Sequence, residues 1–422
     1  MNAFVMVCVM LGFLSLFSVY LPSQVSQARG KNDAVAVTGM ISPLGSPTLN
    51  KKQKKTHNSL PAWMTVPSSL QPDVAFWRSI YATYPSTHSV FHDNQYLDIV
   101  YHVENLSVAK DNKELREDLE SKIKQTIAKH LDELAALPNP KSLSAGEQKI
   151  WQRFHTLPNG FEEAKKRIRC QWGLSEKFAA GLQYSGRYMG EIEKVFAEHG
   201  VPKELTRLVF VESLFNPKAN SSVGARGVWQ FMRDAGKHYQ LTINEVIDER
   251  ADPLKSAHAA AKLLKDNYNY LGNWPMAINA YNAGRGRLKQ ASVDLGTNDI
   301  ARIIREFKHP AYGFASRNFY LEFLAAVDVV ENAEHYFGTL SSDEPLQFDT
   351  ITIAAPLSLP AALKKSHISL DLLSELNPSL SRKVLDGKVL LPTGTALRLP
   401  KGSVEKFSQS IALQKDNKKR RA

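Results

Sequence analysis

Residues 201–217 read V-P-K-E-L-T-R-L-V-F-V-E-S-L-F-N-P, a nearly apolar run with one carboxylate, Glu212, close to its end. A helix lying on a surface alternates its faces. Leu208-Val209-Phe210-Val211 does not, so this segment is expected to be buried on most sides. Gly200 and Pro202 mark a helix start, with Pro202 near the first helical position. Asn216-Pro217 marks a stop, because the residue before proline avoids the helical region. Glu212 then falls in the last turn. Burial disfavours its charged form, and the negative end of the helix dipole acts in the same direction. A carboxylic acid held protonated near neutrality is what protonating a leaving group requires. A last-turn Glu can equally pair with Arg207 or Lys218, which is a structural role.

Outward from this run, residues 200 to about 338 read as short helices joined by Gly- and Asn-containing loops, a compact all-α domain with no alternating strand pattern. Two further clusters follow Glu212-Ser213 and Asn216-Pro217. One is Ser221-Ser222-Val223-Gly224-Ala225-Arg226-Gly227-Val228-Trp229-Gln230-Phe231-Met232, and the other is Ala280-Tyr281-Asn282-Ala283-Gly284. Gly224 and Gly227 allow tight turns and close approach of a ligand. Gln230 and Asn282 supply amides able to read an N-acetyl or hydroxyl group. Trp229, Met232 and Tyr281 offer flat or polarisable surfaces for sugar rings, although Trp and Met at such positions also serve as core. One protonatable Glu with amides and aromatics suggests glycan cleavage.

Other chemistries find no support. Gly224-Ala225-Arg226-Gly227 and Gly284-Arg285-Gly286-Arg287 neither follow a predicted strand nor end in Gly-Lys-Ser/Thr, so they are not phosphate loops. The 12 histidines include no His-Glu-x-x-His pair, and two cysteines give no metal-site spacing; no metal and no cofactor are expected. Ser213 is not in a nucleophile elbow.

The chain has 422 residues, 43% hydrophobic and 23% charged, enough for two or three globular domains. Its net charge of +11 is concentrated in tails: residues 29–58 carry +5, 412–422 carry +4, and 59–411 only +2. Basic tails without a basic, aromatic-interleaved face exclude a nucleic-acid reading and fit contact with anionic envelope polymers. Met1 to Leu21 is apolar and uncharged, and Ser26-Gln27-Ala28 is a small-x-small pattern, so residues 1–28 read as a secretory signal, with an uncleaved anchor as the alternative. Val5-Met6-Val7-Cys8 is a poor lipobox; removal of the signal leaves Cys170 with no partner for a disulfide.

Residues 29–60 read as a disordered basic linker and 61–165 as an aromatic-rich and helical extension. In the latter, Ser89-Val90-Phe91-His92 and Tyr96 to Tyr101 flank Asp93-Asn94, a predicted hairpin. Leu115, Leu119, Ile123, Ile127, Leu131 and Leu134 predict a long amphipathic helix opened by Asp111 or Asn112 and closed before Pro138. Helical text is expected to continue from Glu162 to His199. Residues 347–400 predict a βααβ unit: a strand at Phe348 to Ile353, helices at Leu359 to Lys365 and Leu370 to Leu376, and a strand at Leu397 to Leu399. Residues 401–422 form a basic tail.

The three clusters in this order resemble the lytic transglycosylases of bacterial cell walls, of the soluble-transglycosylase type with a goose-lysozyme-like fold, over roughly Lys166 to Phe337. E-L-T-R-L-x-F-V-E-S-x-F-N-P resembles in particular the membrane-bound murein transglycosylase D subgroup. The resemblance implies a fold that is mainly α: a lysozyme-like (goose-type) catalytic domain over 166–338, an N-terminal α/β extension and a small C-terminal module. It implies that Glu212 is the catalytic acid and base, that Gln230 contacts an N-acetyl group, that Met232 packs on sugar, and that Ser213, Tyr281 and Asn282 bind substrate. Many relatives carry a later E-T-x-x-Y-V motif; here the stretch is Ala315-Ser316-Arg317-Asn318-Phe319-Tyr320, without the acid and with the tyrosine shifted by one. Asp248 to Pro253 resembles a structural turn of the family. The C-terminal unit resembles a LysM glycan-binding module through its βααβ pattern and Leu376-Asn377-Pro378, with Ala355-Pro356-Leu357-Ser358 where the usual Gly-Asp-Thr/Ser-Leu would stand.

The expected partner is therefore the peptidoglycan glycan strand, acted on by a monomer in the periplasm or cell envelope of a Gram-negative bacterium. Cleavage of the bond between N-acetylmuramic acid and N-acetylglucosamine with 1,6-anhydro ring closure is the expected reaction. The rivals are a hydrolytic muramidase using Asp234 or Asp252 to activate water, and a non-catalytic wall-binding protein.

Overall fold

The computed structural model describes residues 60–138 and 143–419. The leader read over 1–28 and the linker as far as residue 59 lie outside the described residues, as does the end of the basic tail. Among the described residues, no helix is long and apolar enough to cross a membrane. The chain divides into two bodies: 68–176, and 62–67 together with the chain from Lys177 onward. The polypeptide thus leaves the larger body after Pro67 and returns to it at Lys177.

The smaller body is built on a three-stranded antiparallel sheet in the order β2-β1-β3, with β1 at His88–Asp93, β2 at Val100–Asn105 and β3 at Ile168–Trp172. Phe91 of β1 faces His102 on one side and Cys170 on the other. The expected hairpin is present with its second strand displaced, since β2 begins at Val100 rather than Tyr96, and β3 is an addition within text read as helical. Against the sheet lies the helix Lys113–Ala136, whose Ile123, Ile127, Leu131 and Leu134 pack on Phe91, Ile99 and Tyr101. Its N-cap is Asn112, whose side chain accepts from the Leu115 amide. Arg116 and Glu120 of this helix reach the sheet through Ser89 and Trp172; the Arg116 guanidinium lies 3.9 Å over the Trp172 ring. Cys170 is a free thiol pushed up to about 12, above all by burial.

The larger body is mainly α. Pro253–Leu271 and Trp274–Ala283 form its centre, each opened by a side-chain cap and a proline in the first turn: Asp252 accepts from Leu254 and Lys255, and Asn273 from Met276. Ala257, Ala259, Ala260 and Ala261 are fully or almost fully buried, and such small side chains let neighbouring helices approach closely. Phe314–Glu331 packs against both Trp274–Ala283 and Leu208–Ser213.

The C-terminal part pairs β4 (Phe348–Thr352) with β5 (Ala396–Pro400) in antiparallel register, around helices Leu359–Ser366, Leu370–Leu376 and Arg382–Leu385. The βααβ order expected from the sequence is there, with one extra short helix. The packed unit runs past residue 400: Phe407 is fully buried in its core, and the Ser410 hydroxyl donates to the Ala362 carbonyl at 2.6 Å.

Candidate active site

The run that carries Glu212 forms a 3-10 helix, Lys203–Arg207, continued by the α-helix Leu208–Ser213. Leu208, Val209 and Phe210 are fully buried and Val211 nearly so, as an unalternating apolar run requires. Pro202 is the N-cap of the first segment rather than an internal residue. Glu212 lies in the last turn, 3% exposed.

The helix does not stop at Asn216-Pro217. It ends at Ser213, because Leu214 and Phe215 both adopt left-handed backbone, φ 52° and 56°. Two successive non-glycine residues in that region are held there by packing. The Phe215 ring stands among Tyr184, Tyr188 and Phe210. Gly181 abuts the Leu214 carbonyl so closely that a Cβ at 181 would meet that oxygen at 2.1 Å. Gln230, in the loop bonded to Ser213, is also left-handed, φ 48°. Arg207 is engaged by Glu193 and Glu331.

Ser213 links this helix to the Gly224–Phe231 loop: its hydroxyl donates to the Val228 carbonyl at 3.0 Å and to Val209 at 3.3 Å. The loop is shaped from within by Gln230, whose Nε2 donates to the Gly227 carbonyl at 2.7 Å and to Ala219 at 3.4 Å. Arg250 holds it from outside, donating to the carbonyls of Gly224 at 2.8 Å and Phe231 at 3.1 Å while paired with Asp248. Gly227, φ +78°, sits directly on Arg250, and a Cβ there would meet the Arg250 carbonyl at 1.9 Å.

Trp229 is core rather than a sugar platform. It is fully buried, stacks on Phe196 with centroids 5.3 Å apart, and donates its indole N–H to Pro253 at 3.3 Å. Met232 is half-buried and precedes the helix Arg233–His238 as its N-cap residue. Tyr281 is 1% exposed, lies parallel to Phe319 with centroids 6.1 Å apart, and donates its hydroxyl to the Trp229 carbonyl at 2.9 Å. Asn282, one residue on, accepts from the Ser316 hydroxyl at 2.8 Å; its Nδ2 is buried without a hydrogen-bond partner among the described residues. Asn279 completes the array, donating to the Ser316 carbonyl at 2.8 Å and accepting from Tyr312 at 3.0 Å.

Sequence reasoning thus located the three clusters, and the structure ties them together through Ser213, Tyr281 and the loop. It gave Ser316, Phe319 and Arg250 no part in the site, and it did not name Asn279. For Ser316 and Phe319 the signal is their three-residue spacing on the helix Phe314–Glu331, which is buried on nearly every side. Tyr320 itself is directed elsewhere, its hydroxyl donating to the Trp63 carbonyl at 3.2 Å. No group of three His, Cys, Asp or Glu able to hold a metal ion occurs among the described residues.

Comparison with known proteins places these residues in context. Residues 192–304, which include Glu212, Gln230, Tyr281 and Asn282, match the family model Transglycosylase SLT domain. Membrane-bound lytic murein transglycosylase D of Escherichia coli (strain K12) is 25% identical over 254 residues, covering 60% of this chain and 54% of that protein. Membrane-bound lytic murein transglycosylase F of Shewanella loihica is 28% identical over 33% of this chain and 31% of its own length. Among solved structures, the 70 kDa soluble lytic transglycosylase of Escherichia coli is 19% identical, with a TM-score of 0.30, covering 54% of this chain and 35% of that one. The chain spans about half the length of the curated relatives it first matches. Through the Transglycosylase SLT domain at 192–304, this chain is similar to the lytic transglycosylases.

Proposed function

We propose that the chain is a peptidoglycan lytic transglycosylase that uses Glu212 first as acid and then as base. The observation that carries the reading is a carboxyl 3% exposed, at the end of an apolar helix, within a segment that matches the SLT domain. To act as the acid, Glu212 enters the reaction in its neutral form. Glu212 donates its proton to the glycosidic oxygen between N-acetylmuramic acid and N-acetylglucosamine. The substrate's own 2-acetamido group stabilises the charge developing at C1. The carboxylate then takes the proton of the muramic C6 hydroxyl, and that oxygen closes on C1. One C–O bond breaks, one forms, Glu212 is reprotonated, and no water is consumed.

Gln230, Met232 and Asn282 are assigned to substrate binding; the buried Nδ2 of Asn282 is an available donor toward a sugar oxygen. Ser213 and Tyr281 act by fixing the loop, since both hydroxyls donate to its backbone. The partner is the glycan strand in the cell envelope, and residues 347–400 are read as a LysM-like unit.

Hydrolysis with Asp252 as base is disfavoured: that carboxylate caps a helix and is paired through both oxygens with Arg398. Mass analysis of muropeptides released from sacculi tests the reading. Anhydro ends, and loss of about 10²–10⁴-fold in rate for Glu212→Gln in a folded protein, are expected. Reducing ends heavier by one water, or near-native turnover of the variant, would overturn it.

A further inference from the structure

The segment 246–253 lies between the C-terminal unit and the Gly224–Phe231 loop and is hydrogen-bonded to both. On the C-terminal side, the Asp248 amide donates to Ser379 at 2.8 Å and the Ser381 amide to Val246 at 2.9 Å. Val246 and Ile247 pack against the apolar core of the C-terminal unit. Asp252, 2% exposed, receives the Arg398 guanidinium through both oxygens, at 2.8 and 3.2 Å. Arg398 is itself fixed within the C-terminal unit: its amide donates to Asn377 at 2.8 Å, and the Asn377 side chain returns a bond to its carbonyl at 2.7 Å.

On the other side, the same short segment holds the loop. Arg250, paired with Asp248, donates to Gly224 and Phe231; the Arg226 guanidinium reaches Asp248 at 3.2 Å; Trp229 donates to Pro253. A buried bidentate Arg–carboxylate pair has one geometry, so it transmits position rather than merely adding attraction. A freely tethered binding module would need none of these bonds.

We propose that the C-terminal unit is an intramolecular brace for the Gly224–Phe231 loop, with Arg398 as a positioning residue for Gln230. In the braced chain, displacement of the C-terminal unit loosens the loop even when no glycan is bound. The kinetic part of this inference rests on the proposed activity; the structural part does not.

The test uses the full chain and hydrogen exchange of backbone amides. In Arg398→Gln, the amides of Arg226, Gly227 and Gln230, bonded in the native loop to Phe231, Ala219 and Gly227, are expected to exchange about tenfold faster or more. Protection of Ile353 and Leu357, bonded to Thr395 and Leu391, reports that the C-terminal unit remains folded. On soluble glycan fragments, kcat is expected to fall roughly fivefold with KM changed less than about twofold. Loop exchange at the native rate with Ile353 and Leu357 still protected overturns the proposal. Should Arg398→Gln unfold the unit, Asp252→Asn decides, because asparagine keeps the helix cap and weakens only the ion pair. Faster loop exchange in that variant supports the brace and native exchange overturns it. Absence of lytic activity in the native chain refutes the proposed function and leaves the exchange result to judge the brace.

Discussion

Gly227→Ala is the perturbation with the clearest expected magnitude, because Gly224 provides its control. Both glycines have left-handed backbone, φ +78° and +90°. An L side chain in that region costs roughly 1–2 kcal/mol. At Gly224 an added Cβ meets nothing within 4 Å, so the backbone cost is the whole expected effect. At Gly227 the Cβ would meet the Arg250 carbonyl at 1.9 Å, against an ordinary contact of 3.4 Å or more, so loop and segment must separate by roughly 1.5 Å. That shift breaks the Arg250 hydrogen bonds to Gly224 and Phe231, each worth about 1.5–3 kcal/mol for a charged donor. Gly227→Ala is thus expected to lose about 3–6 kcal/mol more than Gly224→Ala, about 6–24 °C in thermal midpoint for a body of this size. A displacement of about 1 Å in a positioning loop is also worth on the order of 10²-fold in rate, so release of soluble fragments from sacculi should nearly vanish in Gly227→Ala and persist in Gly224→Ala. Equal losses in the two variants, in unfolding or in turnover, would refute the reasoning.

Three further outcomes are expected. Tyr281→Phe leaves the buried Trp229 carbonyl without its donor and should destabilise the larger body by about 1–3 kcal/mol in urea unfolding; no change would show that the bond does not hold the loop. His92 is held neutral, its pKa lowered from 6.5 to about 3, chiefly by burial and in small part by Arg169, against a backbone bond to Asp93 that raises it. A lowered histidine gives stability that is complete above 6.5 and is lost as pH falls toward 3, so the smaller body should weaken by up to about 1.4 kcal/mol per pH unit across that window, and a flat melting profile there would contradict it. Cys170 should resist maleimide at pH 8 in the folded chain and react once unfolded, since a thiol raised to about 12 is almost wholly protonated; prompt labelling of the native protein would contradict its burial.

What could be read from the sequence was local. The stripe Leu119 to Leu134 and the cap at Asn112 gave the long helix because both signals lie within a few residues. The run Leu208–Val211 gave a buried helix for the same reason, and it placed Glu212 in the last turn. Strand β3, Ile168-Arg169-Cys170-Gln171-Trp172, does alternate apolar and polar residues, but over only five positions between helical stretches, and its partner β1 lies some eighty residues earlier. The helix end at Ser213 was hidden because nothing local asks Leu214 and Phe215 to turn left-handed; aromatic packing and Gly181 impose it. Trp229 was left open between core and sugar-facing ring because an aromatic beside an amide looks alike in core and cleft until its neighbours are known.

The excursion of the chain through 68–176 gives that body the topology of an inserted cassette. Residues 62–67 before it are fastened to the larger body, with Trp63 against Trp274 and its carbonyl bonded to Tyr320. A body that the chain enters from its neighbour and leaves back into it is where an insertion or deletion least disturbs the neighbour's own elements. Variation in length among related chains is therefore best accommodated there, whereas the C-terminal unit, bonded to the segment that holds the Gln230 loop, is not free to be traded in the same way.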